Sequence, residues 1–121
     1  MKITAVDIWE VMAIKAHACD CVNLGGNPFE FVHNASVAEG NGMLCWHGSG
    51  NDLGILEHSH LHAAAAARNC VIPSDFVGSW TREDDLILEP IRFEDGCALV
   101  PDRPGLGCEL DLAAIEKYRV R

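Results

Sequence analysis

Leu88-Glu-Pro-Ile-Arg-Phe-Glu-Asp-Gly-Cys-Ala-Leu-Val-Pro-Asp-Arg-Pro-Gly-Leu-Gly-Cys-Glu-Leu-Asp111 is a hairpin followed by a stiff return. Leu86, Ile87, Leu88, Ile91 and Phe93 lead into Glu94-Asp95-Gly96, and Cys97-Ala98-Leu99-Val100 leads out. An Asp-Gly step between apolar runs supplies the positive φ angles of a tight hairpin turn. Pro101 and Pro104 then stiffen the chain, Gly105 and Gly107 permit unusual conformations or close backbone approach, and Asp111 is placed to cap a short helix over Leu112 to Tyr118.

Upstream of this stretch the pattern alternates between strands and helices. Cys19 to Leu24 reads as a buried strand. Phe29, Val32, Ala35, Ser36 and Glu39 follow helical spacing, and Gly40-Asn41-Gly42 ends that helix. Met43 to His47 is the next strand. Asn51 or Asp52 can cap a second helix reaching Ala67, rich in alanine and therefore strongly helix-forming. Cys70 to Pro73 makes a third short strand. Strand, helix, strand, helix, strand implies parallel pairing with right-handed crossovers. Met1 to Glu10 alternates as a strand does, and Val11 to His17 has short helical character.

Composition narrows the function classes. The chain has 121 residues, 49% of them hydrophobic, enough for a globular core. Its 18 acidic and 9 basic residues leave a formal charge of −9, which opposes a nucleic-acid surface, since phosphate binding needs a basic patch. No apolar run approaches the roughly 20 residues of a membrane span, and MKITAVDIW lacks the organisation of a signal peptide. Cys19, Cys21, Cys45, Cys70, Cys97 and Cys108 contain no CxxC pair, so the expectation is free thiols in a reducing cytoplasm.

The hairpin, the PGLG return and the acidic-leucine pair after it resemble the carboxyl-terminal end of the enolase superfamily, in its mandelate racemase and muconate-lactonizing branch. The resemblance implies an α/β fold with a partial (β/α)8 barrel: Cys19 to Leu24, Met43 to His47 and Cys70 to Pro73 would be strands six, seven and eight. A complete barrel takes about 250 residues. The implied division is residues 1–10 as a remnant of the amino-terminal capping domain, 11–85 as barrel, and 86–121 as hairpin, return and helix. Glu10-Val11 would then join the cap directly to the sixth β/α unit, an internal truncation.

The family's shared reaction, as in its acid-sugar dehydratases and racemases, removes a proton α to the carboxylate of a small substrate while Mg2+ stabilises the enediolate. Its metal ligands lie on strands three to five and a Lys-x-Lys pair on strand two, regions without counterpart here. Lysines occur only at positions 2, 15 and 117, so no Lys base sits on the strand-six segment. The resemblance instead puts a His base at His47, at the carboxyl end of its strand, with Asp20 near the strand-six Asp that would orient it. The plainer alternatives are a strand-end His bonded to the following loop and a loop carboxylate. Gly48, Ser49 and Gly50, ahead of a helix, could offer amides to a substrate carboxylate, and Asp75 stands near the family's strand-eight acid.

The expectation is therefore a chain inactive alone, holding no Mg2+ by itself. Two other classes stay open. Exposed strand edges could make a small assembly module or homo-oligomer. In Glu57-His58-Ser59-His60-Leu61-His62, His58 and His62 share a helix face while His60 points elsewhere; two imidazoles are only part of a metal site, and structural helix histidines are the plainer reading.

Overall fold

A computed structural model describes residues 16–120. The strand expected over Met1 to Glu10, and the helical stretch from Val11 except for its last two residues, lie outside the described residues. Ala16 and His17 form a turn. The chain divides into two compact units, one running to Gly48 and resuming over Ala63–Ser74, the other comprising Ser49–His62 and Asp75–Arg121.

The first unit is a parallel β-α-β arrangement. Strand β1 (Cys21–Leu24) pairs in parallel with β2 (Leu44–His47), with Cys21 opposite Leu44 and Leu24 opposite His47. Helix α1 (Pro28–Gly40) crosses between them. Its start is written locally: the Asn27 side chain accepts from the Phe29 and Glu30 amides at 3.0 Å, the Glu30 carboxylate reaches back to the Asn27 amide, and Pro28 sits where no amide is needed. The helix ends at Asn41, as the Gly-Asn-Gly run predicts.

The buried face of α1 departs from the expected one. Phe31, Ala35 and Ala38 face the core, whereas Phe29 is 88% exposed and Val32 is also at the surface. Ala35 belongs to both sets, and both fit helical spacing; contact with β1 and β2 selects the one that contains Phe31 and Ala38. Leu24, Phe31, Ala35, Cys45 and Ala63 form the core, with Val22, Ala64, Ala67 and Cys70 packed against it. Full burial of Phe31 alone stabilises by roughly 2–3 kcal/mol.

The third strand shrinks to a single parallel bridge, Cys45 with Cys70. The Asn69 amide group takes over part of a strand's role by donating to the carbonyls of Ala35 (3.1 Å) and Met43 (3.0 Å). It ties the Cys70 segment to α1 and to the entry of β2.

Helix α2 (Gly54–Ala66) is divided between the units at His62 and Ala63. In the second unit it is followed by α3 (Gly78–Thr81), the antiparallel hairpin β3 (Phe93–Glu94) and β4 (Cys97–Ala98), and α4 (Leu112–Lys117). Asp95 and Gly96, at φ 50° and 77°, make the turn between β3 and β4. The return segment comes back beside the lead-in: Ile87 bridges Leu110, and the Asp111 amide donates to the Leu86 carbonyl at 2.9 Å. Gly107, at φ 72°, lies so close to Pro101 that a Cβ would overlap its ring. Asp111 caps α4 by accepting from the Ala113 and Ala114 amides, as expected.

Candidate functional site

Side chains alternate across a strand, so β1 and β2 present two faces. Val22, Leu24, Cys45 and His47 share the face packed on α1 and the alanine end of α2. His47 is fully buried there, its ring 5.5 Å from that of Phe31, and its backbone amide donates to the Ser74 hydroxyl at 3.0 Å. The opposite face carries Cys21, Asn23, Leu44 and Trp46, with Leu44 43% exposed.

The expected base thus has a buried side chain: a residue can end a strand at the expected edge and still point toward the covered face of the sheet. Its imidazole packs beside the Phe31 ring in the first unit. Asp20 is not brought to it. Asp20 precedes Cys21, while His47 pairs with Leu24; four residues of strand separate the two levels, about 13 Å at the usual rise. Asp20 is exposed, and its carbonyl accepts from the Leu44 amide at 3.2 Å.

The amides of Gly48, Ser49 and Gly50 already have acceptors. Gly48 donates to the Leu24 carbonyl at 2.9 Å. In the second unit Ser49 donates to Asp75 Oδ1 at 2.6 Å and Gly50 to Asp52 Oδ2 at 3.3 Å. The positive potential expected to meet a substrate carboxylate is met by the chain's own carboxylates, and Asp75 appears in the role of loop anchor.

The best-defined polar cluster lies in the second unit and was not anticipated. The Arg82 guanidinium donates to Glu57 Oε2 at 2.9 Å, to Asp85 Oδ2 at 2.7 Å and to the Asp52 carbonyl. Asp85 Oδ1 accepts from the Gly54 amide at 2.9 Å, so the start of α2 is capped by a residue 31 positions along the chain, not by Asn51 or Asp52. Burial alone would lower the Arg82 pKa, but its hydrogen bonds to the Asp85 and Glu57 carboxylates hold it above its usual value. Burial pushes Asp85 up, and the Gly54 amide together with Arg82 outweighs it, leaving the carboxyl below its ordinary range.

The three α2 histidines go separate ways. His58 Nδ1 is 2.8 Å from the Gly54 carbonyl, His60 Nδ1 is 3.5 Å from Asp52 Oδ2, and His62 Nε2 is 3.2 Å from the Leu106 carbonyl. Among the described residues no group of three or more His, Cys, Asp or Glu side chains converges to hold a metal ion. Nor does the donor set fit Mg2+, which wants carboxylate and water oxygens: the paired carboxylates Glu57 and Asp85 already share a guanidinium.

Residues 5–114 match the family model described as enolase C-terminal domain-like. The chain belongs to that family. Within the enolase superfamily it is a carboxyl-terminal part of the mandelate racemase and muconate-lactonizing branch. Muconate cycloisomerase 1 of Rhodococcus opacus is 31% identical over 110 residues, covering 90% of this chain and 28% of that protein. The muconate lactonizing enzyme of Pseudomonas putida shares the fold with a TM-score of 0.82 at 21% identity, over 90% of this chain and 32% of that one. The N-succinyl Arg/Lys racemase of Bacillus cereus does so with 0.79 at 20% identity, over 95% and 31%. This enolase C-terminal domain-like chain thus spans about a third of the length of the relatives it matches. Among its described residues no helix is long and apolar enough to cross a membrane.

Proposed function

We propose that the chain is the last three β/α units of an enolase-superfamily barrel, with β1, β2 and the Cys70 segment as strands six, seven and eight, and residues 86–121 as the closing hairpin, return and helix. Residues 1–10 would be the cap remnant. The function to which these units belong is α-proton abstraction from a small carboxylate, the class that includes cycloisomerases and racemases acting on muconate-like or N-acylamino acid substrates. These 121 residues do not perform it alone. The observation that carries this reading is the Arg82 cluster: the carboxylates that lie close together are neutralised by a guanidinium, and His47, the one expected base, is packed in the core.

The test is exchange of the substrate α-proton in deuterated water, followed by NMR, with the purified chain, Mg2+ and a panel of 2-hydroxy acids, muconolactone and N-succinyl amino acids. The expected result is exchange at the buffer rate; Mg2+-dependent exchange above it overturns the reading. A second reading, self-assembly through open strands, draws support from β1, which has only β2 as a neighbour among the described residues, and from the exposed Leu44. Sedimentation showing a monomer at all concentrations removes it.

A further inference from the structure

We propose that Cys45 and Cys70 form an oxidisable dithiol in the first unit, a site that closes to a disulfide by exchange with a low-molecular-weight disulfide. The two residues are direct partners in the parallel bridge beside β2. Neighbouring strands run about 4.8 Å apart, inside the Cα separation that a disulfide accepts. The backbone around them is fixed: the Cys45 amide donates to the Asn69 carbonyl at 3.0 Å, the Cys70 amide to the Ala67 carbonyl at 3.1 Å, and the Asn69 side chain anchors the segment to Ala35 and Met43. Both thiols are free.

Their environments differ in a way that sets the order of events. Cys45 is fully buried in the core with Leu24, Phe31 and Ala63. Burial, reinforced by the charge and hydrogen bond of the Cys70 thiol, pushes its pKa up to about 12. Cys70 is partly exposed, with the Ser74 hydroxyl 3.9 Å from its sulfur. Cys70 therefore reacts first. As thiolate it attacks the small disulfide, forming a mixed disulfide and expelling one thiolate, which takes up the proton Cys70 released. Cys45 then loses its proton, attacks the Cys70 sulfur and expels the second small thiol. One protein dithiol is oxidised and one small disulfide is reduced to two thiols. The second step needs the Cys45 thiolate, so closure quickens as pH rises.

Equilibrating the native 121-residue chain with oxidised and reduced glutathione, quenching with acid and mapping peptides by mass spectrometry tests the site. The expected product links the Cys45 and Cys70 peptides, with the intact chain lighter by two hydrogens and its thermal midpoint raised, because the cross-link restrains the unfolded chain. Cys70→Ser should leave Cys45 unmodified under native conditions. Cys45→Ala should stop at a glutathione adduct on Cys70, and this variant removes only the sulfur from the core. The proposal is overturned if wild type also stops at the Cys70 adduct, if Cys45 links instead to Cys19 or Cys21, or if the Cys45–Cys70 link forms only after denaturation.

Discussion

The two units are held by different physics. The first buries Leu24, Phe31, Ala35, Ala38, Met43, Cys45 and Ala63, with His47 and Asn69 as its buried polar side chains, Asn69 anchored by two carbonyls. Among the described residues the second buries Leu61, Ile87 and Ala114 of its apolar side chains, and beside them Glu57, His58 and His60. Apolar packing is insensitive to pH and salt, whereas a buried ion network is strong only while every partner is present and charged. One chain therefore contains a unit supported mainly by apolar packing and a unit that also rests on a buried ion pair network.

The sharpest break of that contrast is Phe31→Ala, expected to cost about 4 kcal/mol by opening a cavity beside His47 and Leu24. Hydrogen exchange should rise across β1 and β2, with the loss unchanged by salt; a loss under about 1 kcal/mol would mean the core is not the unit's main support. Arg82→Met should come next, at about 3 kcal/mol, since it strands Glu57, which is 4% exposed, beside Asp85. Denaturant unfolding should show part of that loss recovered on acidification, when the stranded carboxylates take up protons; a loss that stays the same down to acid pH would argue against a charge origin.

The acid limb sharpens the comparison further. Asp85 has a folded pKa below the ordinary aspartate value of 3.8, so its contribution is complete above that value and is lost as pH falls through the lower folded one. Asp85→Asn should cost about 1–2 kcal/mol at neutral pH through the weakened cap and ion pair, and it should flatten stability below about pH 4, measured by thermal midpoints across that range. The smallest effect is Asn27→Ala in the first unit, about 1 kcal/mol for the lost cap. It should be equal at high and low salt.

Legibility followed sequence distance. The Asp95-Gly96 turn, the Asp111 cap and the Gly40-Asn41-Gly42 stop depend on neighbours a few residues away, and each was readable. The start of α1 went unread although Asn27-Pro28-Phe29-Glu30 has capping-box spacing, and the spacing of Phe29, Val32 and Ala35 matched the buried face only at Ala35. The cap of α2 was not readable, because the carboxylate on the Gly54 amide comes from Asp85. His47 was legible as a strand end, but the face it takes depends on which side of the sheet the helices cover.

The amino-acid sequence by itself determined the local pieces and the ancestry: turns and helix stops come from backbone chemistry that single residues control, and the closing Leu88 to Asp111 stretch carries the family pattern. Only the tertiary structure decided which face of β1 and β2 is core, that Arg82 gathers Glu57 and Asp85, and that Cys45 meets Cys70. Those outcomes join residues that no local periodicity orders, such as Phe31 with His47, Arg82 with Glu57 and Cys45 with Cys70. They rest on burial and on the pairing of charges that burial makes obligatory.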